Sequence, residues 1–394
     1  MSTPQEPTEI DNNAYPSIIL ILHELEDPRI KRARKHNLTD ILFIALCTVI
    51  CGGESFEDME EFGKSKQQWL SQYLELTNGI PSHDTFNRVF QLLDPNSFQD
   101  CLIRWTQAVR LRIPNEIVAI DGKAQRRARN KNQNHHYIVN AWAGENRLLL
   151  GQYKVDEKSN EITAIPELLR ILELSGCIIT CDAMGCQKNI AKEIIEADAN
   201  YVLALKGNHE TAHEEISEYL EDLVIEKQKP RDPRAAPLAS DIAQLQSYSE
   251  EETNHGRKTT WHYHQSDQLE WFMEKSEWEG LQSVGMVETI TEKNGITTAE
   301  KRYYLCSIGL DVKKFAKAVR GHWGVENSCH WVMDVVFKED ESRARTAHAA
   351  QNLGTTRGIA MNLIRKETTN KRGIKGRVKR AGWDHSYLEK ILTI

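Results

Sequence analysis

The chain has no apolar run able to cross a bilayer. Its longest, Ile41 to Ile50, falls far short of the ~20 residues a spanning helix needs. Its opening residues, Met1-Ser2-Thr3-Pro4-Gln5-Glu6, lack the basic stretch and hydrophobic core of a signal peptide. The sequence therefore predicts a protein that stays in the cytoplasm and makes no use of a membrane. None of the eight cysteines stands at C-x-x-C spacing. Cys47/Cys51 and Cys177/Cys181 are four apart inside apolar segments, which argues for buried reduced thiols over zinc or redox chemistry. No internal repeat or low-complexity tract stands out. Positive charge is in deficit as well: 50 Lys and Arg against 57 Asp and Glu leave a net charge of −7, which at first excludes a polyanionic partner. What remains, 40% apolar and 27% charged over 394 residues, is an ordinary globular composition with room for two or three domains.

The distribution of charge reverses the first impression. Lys123, Arg126, Arg127, Arg129 and Lys131 follow one another with no acid between Asp121 and Glu145. Lys371, Arg372, Lys375, Arg377, Lys379 and Arg380 form a second acid-free cluster, and Arg29, Lys31, Arg32, Arg34 and Lys35 a third. The acidic surplus collects at Glu210 to Glu226 and Glu250 to Glu252. Charge segregated in this way steers a polyanion to one face, although each run taken alone is equally a solvated surface.

Residues 1–112 read as helical. An apolar helix from Leu38 to Cys51 stops at Gly52-Gly53, and a second with 3.6-residue periodicity runs from Phe56 to Leu76. Thr77-Asn78-Gly79-Ile80-Pro81 is a turn, and Ser82 caps a helix from His83 to Leu93. Residues 56–94 thus outline a helix-turn-helix, with His83, Asn87 and Arg88 positioned to enter a groove; any helical hairpin looks similar. From residue 113 the pattern changes to three successive strands (Val118 to Ile120, Tyr137 to Ala141, Leu148 to Val155), a helix from Ile165 to Leu174, a strand ending at Asp182, a helix from Gln187 to Ala197 and a strand from Tyr201 to Leu205. That order predicts an α/β fold, a mixed sheet flanked by helices, over 113–207. Residues 208–310 read as an acidic helix and a β-rich insertion with a hairpin turn at Lys293-Asn294-Gly295. Residues 311–370 return to helix, from Asp311 to Phe337 and from Ala347 to Arg365, and 371–394 form a basic tail.

Three acids stand in settings suited to a metal ligand. Asp121 closes the run Ile117-Val118-Ala119-Ile120, Asp182 closes Cys177-Ile178-Ile179-Thr180-Cys181, and Glu326 lies in a long helix that is apolar nearly all round. A carboxylate ending a buried strand is partly desolvated, which is unfavourable unless a donor or cation satisfies it. Two strand-end aspartates and a helix glutamate are also what a two-metal phosphodiester site requires, and an oxygen-only set favours Mg²⁺ or Mn²⁺. Alone, either aspartate is better read as a turn residue. Glu326 is expected to be buried or to line a cleft. His322, Glu326 and His330 recur every four residues and so share a helix face; the histidines are read as binding phosphate or orienting Glu326. Lys206 and the basic loop after Asp121 are read as grips on the phosphate backbone. Trp323 is read first as a core residue and second as a platform for an unpaired base. His262 and His264 are read as exposed.

Four motifs in order, Ala119-Ile120-Asp121-Gly122-Lys123, Thr180-Cys181-Asp182-Ala183-Met184-Gly185-Cys186-Gln187, Leu205-Lys206-Gly207-Asn208 and His322-Trp323-Gly324-Val325-Glu326-Asn327, resemble the H-repeat-associated group of bacterial insertion-sequence transposases. These are DDE transposases with an RNase H-like catalytic core. The resemblance runs along nearly the whole chain. It implies cleavage of transposon ends and strand transfer by Asp121, Asp182 and Glu326 holding two Mg²⁺ or Mn²⁺ ions. The implied partners are double-stranded DNA, both terminal inverted repeats and target, and a second copy of the chain in the DNA complex, associated with the nucleoid when bound. Related enzymes place Arg four residues before the glutamate and Lys seven after; here His322 and Met333 hold those positions. Arg320, His330 and Lys338 stand nearby as substitutes. With Lys123, Arg126, Arg127, Arg129, Lys206, Asn208, His322 and Trp323 they complete the expected DNA contacts. A metal nuclease that cuts without joining and a domesticated DNA-binding protein are the competing readings.

Overall fold

A computed structural model describes residues 17–129, 135–155, 161–229, 240–254 and 256–393; the side chains of 17, 125–129, 135–136 and 240–241 lie outside the description. The chain forms two compact units. One comprises Met1–Val109, Gln125–His135 and Trp331–Ile394, the other Arg110–Ala124 and His136–His330.

The first unit begins with helices α1 (Ser17–His23), α2 (Leu38–Ile50), α3 (Phe56–Ser65), α4 (Gln67–Leu70), α5 (His83–Leu92) and α6 (Pro95–Val109). Every residue of α2 is buried, as a helix apolar on all faces must be. Helix α3 opens with a capping box between Ser55 and Asp58 and ends sooner than its periodicity suggests, giving way to the short α4. In the Arg29–Lys35 cluster two cations are structural. Arg29 is buried, donating to Asp27 Oδ2 at 2.7 Å and to the His36 carbonyl at 2.6 Å, and Arg34 donates to the carbonyls of Arg29 and Asp27, both at 2.7 Å.

The second unit is built on a nine-stranded sheet of β1 (Ile117–Arg129), β2 (His135–Ala143), β3 (Leu148–Val155), β4 (Ile178–Cys181), β5 (Asn200–Leu205), β6 (Gln246–Asn254), β7 (Arg257–Ser266), β8 (Ser283–Lys293) and β9 (Ile296–Cys306), ordered β3-β2-β1-β4-β5-β9-β8-β7-β6. Strands β1, β4 and β5 run parallel; β3 lies antiparallel to β2, and β9, β8, β7 and β6 extend the sheet antiparallel from β5. All four residues of β4 are buried, so helices and loops cover both of its faces. The segment read as an insertion is thus continuous with the central sheet: β9 hydrogen-bonds along β5. The Asn294-Gly295 turn has positive φ at both positions, 52° and 77°, the geometry whose twist suits a two-residue hairpin. His264 is buried, not exposed; its Nδ1 lies 2.9 Å from Ser247 Oγ, and burial pushes its pKa down to about 4.

Five helices belong to this unit: α7 (Glu161–Ile171), α8 (Lys188–Glu196), α9 (Glu210–Gln228), α10 (Ser240–Gln244) and α11 (Val312–Gly324). Phe315, Ala316, Ala318 and Val319 of α11 pack with Ile117, Ile178, Val202, Tyr263 and Tyr304 of the sheet. Close approach depends on two glycines. Gly285 leaves room for the Phe315 ring, and a Cβ at Gly321 would stand 2.9 Å from Ile117 Cγ2. Burying this apolar surface, at ~25 cal/mol per Å², holds α11 against β1, β4, β5, β7 and β9.

The chain then completes the first unit with α12 (Trp331–Val335), α13 (Ala349–Lys366), α14 (Ile374–Trp383) and α15 (His385–Leu392). Asn352 of α13 donates to the Phe90 and Leu93 carbonyls, both at 2.9 Å, and Lys366 to the Val109 carbonyl at 2.7 Å, satisfying orphan acceptors at the ends of α5 and α6. The supposed basic tail is two packed helices. Val378, Ala381, Tyr387, Leu388 and Ile391 are buried, and Arg377 donates to the Ile364 carbonyl at 3.0 Å. Reading cations alone concealed this amphipathic spacing. Among the described residues no helix is long and apolar enough to cross a membrane.

Candidate active site

Parallel pairing sets two of the predicted acids side by side. Strands β1 and β4 are in register from Ile117↔Ile178 to Ile120↔Cys181, so Asp121 and Asp182 follow at the same level where this pairing ends. The carboxyl ends of parallel strands are where open α/β sheets hold ligands. Asp121 does not end its strand, however: β1 runs on to Arg129, so the expected basic loop is strand over residues 122–129.

Each carboxylate has its own environment. The Asp121 side chain is 17% exposed; Oδ1 accepts from the Gly122 N–H at 3.0 Å, and Oδ2 faces His330 Nδ1 across 3.6 Å. Burial, then the negative charges of Asp182, Glu326 and Glu161, pushes its pKa up to about 7. Asp182 Oδ1 accepts from the N–H groups of Met184 at 3.0 Å and Gly185 at 3.2 Å. The Asp182 loop is tied in turn to the segment after β5, where Asn208 Nδ2 donates to the Ala183 carbonyl at 3.0 Å and His209 Nε2 lies 2.7 Å from the Cys186 carbonyl. Glu161, at the start of α7 and against Gly122, is a fourth acid that the sequence reading missed. Its pKa too is pushed up, by burial and then by Asp182.

Glu326 departs from expectation twice. It lies in a π-helical segment, Val325–His330, between α11 and α12, and it is exposed. A π turn inserts one residue into the helical repeat, a distortion common at functional sites. The i, i+4 spacing of His322, Glu326 and His330 therefore no longer defines one α-helical face. Instead His322 reaches β4 and His330 reaches β2. His322 Nδ1 lies 2.9 Å from Thr180 Oγ1, and burial lowers its pKa, which keeps the ring neutral. His330 Nε2 lies 3.0 Å from Asn140 Nδ2.

Two sets of matches bear on this site. Residues 19–106 match the family described as DDE_Tnp_1-associated, and residues 112–363 match the family described as Transposase DDE domain. The chain belongs to the bacterial DDE insertion-sequence transposases. This transposase is 37% identical over 383 residues to "Putative transposase YncI" of Escherichia coli O157:H7, covering 96% of this chain and 94% of that one. It is 36% identical over 367 residues to "H repeat-associated putative transposase YhhI" of Escherichia coli strain K12, covering 91% and 93%. A solved piggyBac transposase synaptic complex with hairpin DNA shares 13% identity and a TM-score of 0.41, over 97% of this chain and 80% of that one, a likeness too slight to carry an argument.

The transposase's expected DNA contacts are dispersed. Arg320 pairs with Glu252 at 2.9 Å, and its guanidinium lies 3.9 Å above the Trp261 ring. Trp323 is 48% exposed, not core, and Arg302 stands 5.6 Å over its ring. All five, with Glu300, line an open cleft of about 480 Å³ beside β6–β9. Lys206 is exposed. Lys123 is half-buried, whereas the side chains of Arg126, Arg127 and Arg129, and all of Lys131, fall outside the described residues. Lys338 belongs to the first unit, in a left-handed conformation (φ 53°), with Nζ 3.1 Å from Glu341 Oε1. Met333 is buried in that unit. On α5, His83 pairs with Glu60 at 2.7 Å, Asn87 accepts from Gln91 at 2.7 Å, and Arg88 is exposed.

Proposed function

We propose that this transposase cleaves DNA at the terminal inverted repeats of its element and joins the freed 3′ ends to a target duplex, using Asp121, Asp182 and Glu326 around two Mg²⁺ or Mn²⁺ ions. The observation that carries the reading is the alignment of Asp121 with Asp182 at the ends of two parallel strands, close enough to Glu326 for its charge to act on Asp121. The order β3-β2-β1-β4-β5, with β1, β4 and β5 parallel, supports an RNase H-like core extended by β6–β9.

The donor set suits a hard divalent cation. Mutual repulsion among Asp121, Asp182, Glu326 and Glu161 is what a cation relieves, and every one of these donors is a carboxylate oxygen. As they stand, the described residues hold no three His, Cys, Asp or Glu side chains gathered tightly enough to enclose an ion. Glu326, exposed on its π turn, would complete the set. Bound ions supply an activated water or 3′ hydroxyl and neutralise charge on the phosphorane-like transition state. The protein's part is to hold Asp121 and Asp182 rigidly through the Gly122, Met184 and Gly185 amides and to leave Glu326 movable between cutting and joining.

DNA is the partner this function requires. Exposed Lys371, Lys375 and Lys379 recur every four residues on or beside α14, with no ion pair to any of them among the described residues, and they offer a phosphate-binding stripe. The outer face of α5 offers Arg88. Two DNA ends call for two active sites, hence a homodimer on DNA at the nucleoid. The test uses the full chain, Mg²⁺, linear duplexes carrying the inverted repeats that flank the gene, and a supercoiled plasmid. Joined plasmid products are expected; cut ends without joining would make the protein a nuclease, and no cleavage with either Mg²⁺ or Mn²⁺ would leave a DNA-binding protein.

A further inference from the structure

Behind Asp121 lies a polar chain that core packing does not require. Asn140 on β2 and Gln152 on β3 are cross-strand partners, 3% and 5% exposed. Apolar side chains at this pair would fill the same space without desolvating two amides, which is unfavourable unless every polar atom is satisfied. Here the bonds have a direction. Gln152 Nε2 donates to Asn140 Oδ1 at 2.9 Å, so Asn140 presents its Nδ2–H to His330 Nε2 at 3.0 Å. Nε2 is then a bare acceptor, and the ring hydrogen resides on Nδ1. Nδ1 is the atom that faces Asp121 Oδ2 across 3.6 Å. Turning both amides over would put a lone pair on Nδ1 against the carboxylate, two acceptors facing each other. The amide pair and the carboxylate thus select the same tautomer.

This has a chemical consequence at the site proposed above, on which it rests. Imidazole binds metals through a bare nitrogen, and the identity of that nitrogen is set by the hydrogen bond the other one makes. In His330 the bare nitrogen is occupied by Asn140, and the nitrogen nearest Asp121 carries hydrogen. We propose that Asn140, backed by Gln152, is a positioning residue. It holds His330 as an Nδ1–H donor toward Asp121 and keeps the ring out of the metal's ligand set, which leaves carboxylate oxygens and so selects Mg²⁺ or Mn²⁺ over zinc.

Two measurements on the full chain test this. In the metal-free protein, ¹⁵N-histidine NMR, with His330 assigned by its loss in His330→Gln, is expected to show a protonated Nδ1 and a bare Nε2. The opposite tautomer would overturn the proposal without any variant having to fold. Calorimetry with Mn²⁺ and Zn²⁺ then compares the wild type with Asn140→Asp, whose carboxylate draws the ring hydrogen to Nε2 and frees Nδ1 to ligate. The ratio of Zn²⁺ to Mn²⁺ affinity is expected to rise ~10-fold or more, the scale on which partners of metal ligands act. An unchanged ratio in a folded variant would overturn the selection role. Failure of the wild type to bind either ion would overturn the metal-site reading, and the selection role with it, whatever the spectra show.

Discussion

Asp121→Ala is expected to lower Mg²⁺-dependent nicking of an end-bearing duplex by roughly 10³-fold or more, while duplex binding persists. The size of the effect follows from position. Asp121 lies level with Asp182 where the β1–β4 pairing ends, and its burial and amide contact hold it there. Such a carboxylate would be a ligand of the proposed divalent-cation site, and its loss would remove charge and a donor oxygen from that site. The alanine leaves a small gap next to Gly122, and neither the packing of α11 on the sheet nor the basic surface of α14 depends on it. Retained DNA binding would therefore separate a chemical defect from a folding one. The readout is a gel-based cleavage assay beside a binding titration of the same duplex; wild-type cleavage by the variant would remove Asp121 from the triad.

Asp121→Asn, by contrast, is expected to make the metal-free protein more stable at neutral pH. Burial and the surrounding acids raise the folded-state pKa from 3.8 to about 7, so the ionised form is disfavoured in the fold. A carboxyl shifted upward keeps its full stability below its unfolded pKa and loses it as pH rises through the folded value. The loss accumulates between about pH 4 and pH 7 and amounts to about 2–4 kcal/mol. In EDTA the wild type should melt several degrees below Asp121→Asn at pH 8, and the gap should close toward pH 4.5. Thermal unfolding across that range checks it. A variant no more stable than the wild type at pH 8 would show that burial and the neighbouring acids do not disfavour the ionised Asp121 in solution.

How far this site was legible in the sequence differs from residue to residue. Asp121 and Asp182 were visible because each closes an apolar run, and strands of a parallel sheet align their ends. Glu326 was visible because its helix is apolar nearly all round, but that spacing is the same with or without a π turn, so neither the distortion nor the exposure of the glutamate leaves a trace in the pattern. Trp323 was read as core for the same reason, whereas the structure leaves its ring half open beneath Arg302. Glu161, Asn140 and Gln152 carried no local signal. Glu161 is an ordinary first-turn acid until α7 brings it against Gly122, and the amide pair acquires meaning only through the register of β2 on β3. Charge runs concealed local structure: Arg29 and Arg34 are tied into a turn, and six cations read as a tail stand on or beside a packed helix.

The central claim is that these carboxylates form one divalent-cation site. Titrating Mn²⁺ into the metal-free full chain by calorimetry tests it most directly, with Asp121→Asn as the control. Saturable binding to the wild type, absent or at least ~10-fold weaker in the folded variant, is the predicted result. No binding to the wild type, or equal binding to both proteins, would contradict it.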